Sequence, residues 1–354
     1  MNPLVPPSFC FSVNVKFHLI GKFLVLICLT LFVVLLTSVE VLAQDLSAAP
    51  PSVSGVSFED WLKELRQEAI LEGIAPAVVD QALEGAVFQP RVIDNDRNQP
   101  EFKLVLDDYL ARLVSENRIR NGRLMLSEHE RLLQKIEKAY KVQARFLLAL
   151  WGIESDYGRV TGSHQVIKAL VTLAFDNRRG PYFRKELLTG LHILNDGLVA
   201  PADFIGSWAG AYGGLQFMPS VFKRYAVDYD GDGRIDIRKS PADLFASGAS
   251  YLHASGWRFD QTWGREIRLP AGVDRELSGT TRTLQEWQSL GLRSLDGKGL
   301  PLRDFQAKLI FTESDSTRAF LVYDNFKVIL KWNRSNAFAI AVGTLADRLV
   351  ETGR

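Results

Sequence analysis

Residues 144–158 read Ala144-Arg-Phe-Leu-Leu-Ala-Leu-Trp-Gly-Ile-Glu-Ser-Asp-Tyr-Gly158. The run from Phe146 to Ile153 is almost entirely apolar, which indicates a helix buried on most of its faces. Glycine commonly follows the last turn of a helix, so Gly158 predicts where this helix ends. A buried helix needs other apolar helices around it, and the sequence therefore predicts a mainly α fold.

Glu154 stands at the carboxyl end of this predicted helix. Low dielectric and the negative end of the helix dipole both disfavour a charged carboxylate, so we expect a raised pKa for Glu154. A raised pKa suits the general acid of glycoside cleavage, because the leaving oxygen must be protonated near neutral pH. The alternative is a surface contact at a frayed helix end. Asp156 would face another direction, which favours one acid acting alone with help from the substrate.

Apolar residues at three- and four-residue spacing continue on both sides of this helix. They predict helices that begin at Phe58 and that cover 75–85, 101–117, 127–140, 163–175, 181–195, 220–226 and 242–255. Ser127 and Glu130 form a capping-box pattern at the start of one of them. This part of the chain is therefore predicted to be an α body.

The pattern changes near Trp263. Short strands are predicted over 266–270, 307–311 and 319–323, with a small helix over 283–290. Helices return over 325–332 and 336–350, the second with Asn336 as N-cap. We therefore expect an α+β insert and a closing helical pair.

A stretch rich in glycine and alanine reads Ser207-Trp-Ala-Gly-Ala-Tyr-Gly-Gly-Leu-Gln-Phe-Met-Pro-Ser220. Small residues leave the backbone open to a ligand. Trp208, Tyr212 and Gln216 offer stacking and amide hydrogen bonds that suit a sugar. A tight turn before a helix that begins at Pro219 explains the pattern equally well.

The Asp loop, Asp228-Tyr-Asp-Gly-Asp-Gly-Arg-Ile-Asp236, matches the start of an oxygen-rich calcium loop. The ligand positions 1, 3, 5, 7 and 9 are taken by Asp228, Asp230, Asp232, the Arg234 carbonyl and Asp236. Position 12 is Lys239 instead of a bidentate glutamate, so Asp243 is the residue predicted to close the site. A solvated acidic turn is the alternative.

The composition is that of an ordinary folded protein, with 354 residues, 47% hydrophobic and 23% charged. It excludes collagen-like, low-complexity and mostly disordered chains. The formal net charge of +1 gives no reason to expect nucleic acid as a partner. Both cysteines, Cys10 and Cys28, lie near the start of the chain, which excludes a disulfide framework or Cys-based zinc site from the rest.

The beginning of the chain has the pattern of an export signal. Lys16 and Lys22 precede an apolar run over 23–36, and Val41-Leu42-Ala43 resembles a signal peptidase site. We predict a cleaved signal peptide over 1–43 and a flexible linker rich in Ala, Pro and Ser over 44–57. The alternative is an uncleaved helix over 23–39 that anchors the protein in the inner membrane.

These motifs, in this order and spacing, resemble the membrane-bound lytic murein transglycosylase B family, which cleaves bacterial peptidoglycan. The resemblance runs from about Trp61 to Leu349 and is most specific over 151–158, 175–179 with 182–183, 207–220, the Asp loop and Asn333. It implies a lysozyme-like helical core with a substrate groove. It matches the parts predicted from the residues, which are a catalytic region over 58–265, a small α+β subdomain over 266–323 and closing helices over 324–354.

By this resemblance, Glu154 protonates the oxygen between N-acetylmuramic acid and N-acetylglucosamine and then acts as base. The muramyl C6 hydroxyl closes on C1 and gives a 1,6-anhydro end, without attack by water. The 2-acetamido group stabilises the cationic centre in place of a second carboxylate. The reaction requires no cofactor, and the Asp loop is predicted to hold a structural Ca²⁺.

The matching positions also imply a cleft for peptidoglycan glycan strands, lined by Ser207, Gln216, Arg178, Arg179, Tyr182, Tyr251 and Asn333. The two arginines suit lactyl and peptide carboxylates, with a surface charge cluster as the alternative. Their loss should weaken binding of peptide-bearing glycan, and less so at high salt. Tyr251 suits the hydrophobic core equally well.

The sequence departs from the family pattern at two places. Relatives usually carry Tyr-Asn and a later Tyr where this chain has Trp332-Asn333 and Phe338, so two hydroxyls are lost while the aromatic faces remain. The turn Gly213-Gly214 lacks an amide side chain that is often found there.

Three functions remain open from the sequence. A lytic transglycosylase in the bacterial periplasm is the main interpretation, with glycan strands as its partner. A hydrolase that uses water on the same scaffold is the first alternative. A non-catalytic peptidoglycan-binding scaffold is the second, and no cell-wall enzyme partner is identifiable.

Overall fold

The apolar helix around Phe146 lies among other helices. The computed structural model describes residues 55–98, 105–176, 178–312 and 318–351, and the helix spans Ala144–Ser155. Its residues from Phe146 to Leu150 are at most 1% exposed. The helices that pack against it are Glu116–Glu128, Glu130–Tyr140, Pro241–Ala254 and Asn336–Val350. The buried helix predicted from the sequence therefore has the apolar surroundings that it needs.

This helix ends before Gly158. Ser155 is its last residue, and Asp156, Tyr157 and Gly158 all have left-handed backbone, with φ of 53°, 59° and 80°. The Ser155 hydroxyl accepts a hydrogen bond from Gly158 N at 3.0 Å and donates one to Gly214 O at 2.6 Å. The helix predicted over 142–157 thus ends two residues early, because the serine hydroxyl and two left-handed residues turn the chain before Gly158.

The helices are labelled in chain order, and the buried helix Ala144–Ser155 is α7. Before it come α1 Phe58–Leu71, α2 Pro76–Leu83, α3 Pro90–Arg97, α4 Leu106–Leu113, α5 Glu116–Glu128 and α6 Glu130–Tyr140. After it come α8 Val166–Phe175, α9 Gly180–Asn195, α10 Pro219–Tyr225 and α11 Pro241–Ala254. Two short strands, β1 His164–Gln165 and β2 Ile205–Gly206, pair antiparallel beside these helices.

A five-stranded antiparallel sheet forms the α+β insert. Its strands are β3 Gly264–Arg268, β4 Thr281–Thr283, β5 Arg293–Ser294, β6 Gln306–Phe311 and β7 Ala319–Val322, in the order β4-β6-β7-β3-β5. Leu309 of β6 lies opposite Leu321 of β7. Helix α12 Leu284–Ser289 follows β4 and begins with a capping box between Thr283 and Glu286. The edge strands β4 and β5 are too short to give a sequence pattern.

The closing pair consists of α13 Asp324–Trp332 and α14 Asn336–Val350. Ser335 caps α14 by accepting a hydrogen bond of 3.3 Å from Phe338 N, so the prediction of Asn336 as N-cap was wrong by one residue. Ser127 likewise caps no helix, because it lies inside α5, whose N-cap is Ser115. Helices α3 and α5 were not predicted, since their largely polar residues give weak periodicity.

Two hydrophobic clusters of buried residues form the interior. The larger one joins the helices, and the smaller one lies in the insert around Ile267, Trp287, Leu309 and Leu321. The boundaries 58–265, 266–323 and 324–354 stay a prediction. In the described ranges, every helix is too short or too polar to cross a membrane. The predicted signal peptide over 1–43, the alternative anchor over 23–39 and the linker up to residue 54 lie outside those ranges.

Candidate active site

Glu154 lies half-buried in the last turn of α7. Its Oε1 atom accepts a hydrogen bond of 2.8 Å from Nε1 of Trp332, the last residue of α13. The two residues are 178 positions apart in the sequence. The closing pair of helices therefore supplies a hydrogen-bond donor to the carboxylate that is predicted to be the general acid.

Trp332 is itself held by aromatic side chains. Its ring lies 4.8 Å from the ring of Tyr251, close to edge-on, and 5.3 Å from the ring of Phe217. Tyr225 packs on Tyr251 at 4.9 Å. Tilted and edge-to-face pairs of this kind are the favoured geometries for aromatic rings. Tyr251 is 8% exposed, so it belongs to the core and also contacts the partner of Glu154.

The stretch 207–217 forms an ordered turn structure beside α7. Ser207 Oγ accepts a hydrogen bond of 3.1 Å from Ala211 N, and the backbones of Tyr212 and Phe217 pair with each other. Gln216 has a left-handed backbone with φ of 51°. Its side-chain amide donates to Gly213 O at 2.9 Å and to Thr161 O at 3.3 Å. The tight turn that was one of two interpretations is present, and Ser155 at the end of α7 donates to Gly214 O within it. Ser207 and Gln216 are both half-buried.

Gly213 and Gly214 approach other residues too closely for a side chain. A Cβ atom added to Gly214 would lie 2.4 Å from Leu244 Cδ1 and 2.9 Å from Trp151 Nε1. Gly213 has φ of 75°, and its Cβ would lie 2.6 Å from Ile237 Cγ1. The absence of an amide side chain at this turn therefore has a packing reason.

Asp156 is engaged in ion pairs at the end of α7. Arg159 Nη2 lies 2.7 Å from its Oδ2 atom, and Arg118 Nε lies 3.5 Å from its Oδ1 atom. Burial raises the pKa of the neighbouring Tyr157, whose hydroxyl donates to Arg118 O at 2.9 Å. Left-handed backbone at residues other than glycine is uncommon and concentrates at functional sites. Asp156 thus stabilises the helix end.

Arg178 and Arg179 form a second group of candidate residues. Both guanidinium groups bind the carboxylate of Asp96 in α3, which is only 3% exposed. Arg178 Nη2 also donates to Asp96 O at 2.7 Å, and the Arg179 guanidinium lies over the Phe183 ring at 4.9 Å. Tyr182 is 48% exposed beside them. The arginines therefore neutralise a buried carboxylate, a role that the sequence did not predict.

Asn333 follows Trp332 directly as the C-cap of α13. Its side-chain oxygen accepts a hydrogen bond of 3.0 Å from Ser335 N. Phe338, the other departure from the family pattern, is 3% exposed inside α14. Asn333 is therefore placed next to the site, whereas Phe338 belongs to the core.

The Asp loop brings three carboxylates together. Oxygen atoms of Asp228, Asp230 and Asp232 lie within 4.8 Å of one another, a group that does not include Asp236 or Asp243. Asp243 is buried and accepts hydrogen bonds of 2.8 Å from Tyr229 N and Asp236 N, at the two ends of the loop. Burial raises the pKa of Asp243. Asp243 thus closes the loop by hydrogen bonds to its backbone.

Two residues that contact the candidate site residues were not predicted from the sequence. The indole N–H of Trp332 is a hydrogen-bond donor, which was a usable signal. Asp96 lies in the polar stretch Asp94-Asn-Asp96, which carries no signal of burial. Only the packing of α3 on α8 shows that it is buried.

Comparisons with known proteins show the family of this chain. The sequence profile of the transglycosylase SLT domain matches residues 57–347. Membrane-bound lytic murein transglycosylase B of Escherichia coli strain K12 is 32% identical over 247 residues, which span 68% of this chain and 66% of that protein.

Solved structures give the same result. SltB3 of Pseudomonas aeruginosa in complex with NAG-anhNAM-pentapeptide has a TM-score of 0.81 and 43% identity, over 85% of this chain and 81% of that one. The Escherichia coli lytic transglycosylase Slt35 in complex with calcium has a TM-score of 0.70 and 28% identity, over 81% of this chain and 92% of that one. The predicted mainly α fold with a lysozyme-like core and the predicted family are both confirmed. With a profile match that covers most of its length, the chain belongs to the transglycosylase SLT domain family.

Proposed function

We propose that this protein is a lytic transglycosylase that cleaves the MurNAc-GlcNAc β-1,4 bond of peptidoglycan. The observation that carries the proposal is the Glu154 carboxylate at the end of a buried helix, oriented by Trp332, in a chain of the transglycosylase family. SltB3 was crystallised with NAG-NAM-pentapeptide and with NAG-anhNAM-pentapeptide. Those complexes support glycan strands that carry peptides as the substrate.

Glu154 acts first as acid and then as base. Its proton passes to the glycosidic oxygen as the bond from that oxygen to C1 of N-acetylmuramic acid breaks. The C6 hydroxyl then bonds to C1, and its proton returns to Glu154, so no water is consumed and no cofactor is needed. The engagement of Asp156 by Arg118 and Arg159 supports a mechanism without a second carboxylate, in which the 2-acetamido group stabilises the cationic centre.

The remaining cleft residues are assigned by their placement around Glu154. Tyr251 and Asn333 adjoin Trp332, and Gln216 adjoins Phe217, which also contacts Trp332. Ser207 lies on the same turn structure as Gln216. We assign these four residues to glycan binding. Arg178, Arg179 and Tyr182 stay candidates for contacts with the peptide-bearing part of the substrate.

Product analysis tests the proposed reaction. Purified peptidoglycan digested in water enriched in ¹⁸O should give 1,6-anhydromuramic ends that contain no ¹⁸O and are lighter by one water than reducing ends. Incorporation of ¹⁸O at the new end would show a hydrolase. Binding of glycan without any new ends would show the non-catalytic scaffold. Mass spectrometry distinguishes the three results.

We also propose that the protein is exported to the bacterial periplasm. The apolar run over 23–36 and the pattern Val41-Leu42-Ala43 support a cleaved signal, and the family relative from Escherichia coli is named membrane-bound. Sequencing of the exported protein should find Gln44 as the first residue. An intact amino terminus in the membrane fraction would instead support the anchor over 23–39.

The Asp loop suits a structural calcium ion. Asp228, Asp230 and Asp232 supply hard oxygen ligands at short mutual distances, and like charges so close repel each other unless a cation or a set of donors neutralises them. The loop follows α10 and leads into α11, which carries Tyr251. The proposed ion therefore braces the cleft and takes no part in the reaction. The calcium complex of Slt35 supports this proposal.

Calcium should raise the melting temperature of the protein, and chelation should lower it. An ion that binds only the folded chain at a hundredfold excess over its Kd stabilises it by about 2.7 kcal/mol. Asp230→Ala should remove most of this response, because Asp230 is one of the three converging carboxylates. Asp260→Ala, at an exposed acidic residue far along the chain, should keep it. If the melting temperature does not change with calcium, with chelator or in Asp230→Ala, the loop is a solvated acidic turn.

A further inference from the structure

Trp332 donates the hydrogen bond to Glu154 through its indole Nε1 atom, which a tyrosine at this position would not have. The indole Nε1 lies 2.8 Å from Glu154 Oε1, within the range of a good hydrogen bond to a carboxylate. The resemblance to the family places a tyrosine at this position, so the donor belongs to this chain's own sequence. Trp332 is also partly buried, which shields the contact from water.

The surroundings leave the indole little freedom to turn. Tyr251 packs against one part of its ring at 4.8 Å and Phe217 against another at 5.3 Å. Trp332 ends α13, and the backbone of Asn333 after it is held by a hydrogen bond to Ile329 O. A donor fixed in this way also fixes the rotamer of the carboxylate that accepts from it.

We propose that Trp332 is a positioning residue that holds Glu154 and selects the oxygen that carries the acidic proton. The proposal rests on Glu154 as the general acid. In the protonated acid, the oxygen that accepts the hydrogen bond from the indole is the carbonyl oxygen. Because Oε1 of Glu154 accepts this bond, the acidic proton resides on Oε2. A hydrogen bond donated to a carboxylate stabilises its charged form, so the indole also stabilises the ionised Glu154 that must later act as base.

Within the described ranges, the charged and titratable groups on and around α7 include Asp156, Arg159, Arg118, Tyr157, Tyr251, His129, Glu137, Arg145 and Asp347. Burial raises the pKa of Tyr157 and Tyr251, so both hydroxyls stay protonated over the acidic and neutral range. His129 packs on Trp151 and is the imidazole among these groups. A test that varies pH therefore needs a control that removes the His129 imidazole.

The test replaces the indole N–H and measures the pH profile of cleavage of soluble peptidoglycan glycan oligomers. Trp332→Phe should lower kcat about threefold to tenfold, from loss of one hydrogen bond to a carboxylate. The alkaline limb of kcat/KM should move to higher pH by about half a unit to one unit, because the ionised acid loses a stabilising donor. The same shift should appear in a His129→Gln background.

A second variant guards against loss of packing. Replacement of Trp332 by 3-benzothienylalanine puts sulfur in place of N–H and keeps the size and shape of the ring, and it should reproduce the shift. Trp257→Phe is the matched control, since Trp257 Nε1 donates a 2.7 Å hydrogen bond to Gln143 Oε1 instead of to Glu154. It should lower stability without moving the limb.

The outcomes separate this inference from the proposed function. If Glu154→Gln is inactive while both Trp332 variants keep the alkaline limb of the wild-type protein, Trp332 is a packing residue only and the inference fails. If Glu154→Gln cleaves normally, the proposed function fails, whatever Trp332 does. A shift of the alkaline limb in both Trp332 variants, without a shift in Trp257→Phe, supports the positioning role.

Discussion

Glu154→Gln is expected to reduce cleavage of peptidoglycan at least about 100-fold while the fold and glycan binding persist. Glutamine keeps the volume of the side chain and has an oxygen that still accepts from Trp332 Nε1, but it has no acidic proton to give. The rate of formation of anhydro ends measures the loss. The melting temperature and the affinity for glycan oligomers show whether the rest of the site is intact.

Two control variants make this result specific. Glu130→Gln changes an exposed carboxylate at the start of α6 and should leave the rate unchanged. Asp156→Asn removes the ion pairs with Arg118 and Arg159 but keeps a residue that tolerates left-handed backbone, so its loss of rate should be much smaller. Near-normal turnover by Glu154→Gln, or an equal loss in Asp156→Asn, would overturn the assignment of Glu154 as the sole acid.

The double variant Arg178→Ala with Arg179→Ala is expected to lower the free energy of unfolding by about 2–4 kcal/mol. The reason is Asp96, which would keep a buried charge without either of its partners. Breaking a buried pair usually costs more, but side-chain exposures of 48% for Arg178 and 41% for Arg179 let water screen part of the effect. For a chain of this size the melting temperature should fall by roughly 3–6 °C.

Asp96→Asn provides the matched test. Added to the double variant, it removes the unpaired charge and should restore more than half of the lost stability. The double arginine variant should lose the same stability at high salt, because screening is weak around a buried carboxylate. Unchanged stability together with salt-sensitive loss of affinity for peptide-bearing glycan would contradict this role and support the arginines as substrate contacts.

The buried helix that carries Glu154 was predictable because its pattern lies in neighbouring residues, whereas the role of Glu154 as acid rests on the family resemblance and stays a prediction. An apolar run, a helix end and two carboxylates, Glu154 and Asp156, lie within Phe146 to Gly158, and helix formation depends on such local patterns. The Asp loop was predictable for the same reason, since calcium loops take their ligands from alternate positions of one short segment. In both cases, the physical cause acts within about a dozen residues of the chain.

Capping and short elements were less predictable. Ser155 ends α7 where Gly158 was expected, because its hydroxyl finds Gly214 O, a partner 59 positions away. Ser127 and Asn336 have the right residue types for caps but lie inside helices. Cap preferences allow several starts, and packing of the neighbouring helices selects one of them.

By itself, the sequence determined the mainly α fold and the carboxylates of the Asp loop through periodicity and local spacing, and the family and the candidate acid through the resemblance of its motifs. Only the tertiary structure decided what surrounds them. It brings Trp332 to Glu154 across 178 positions and Asp96 to Arg178 across 82. Such pairs form because helices bury their apolar faces together, and no local pattern specifies which polar groups then meet.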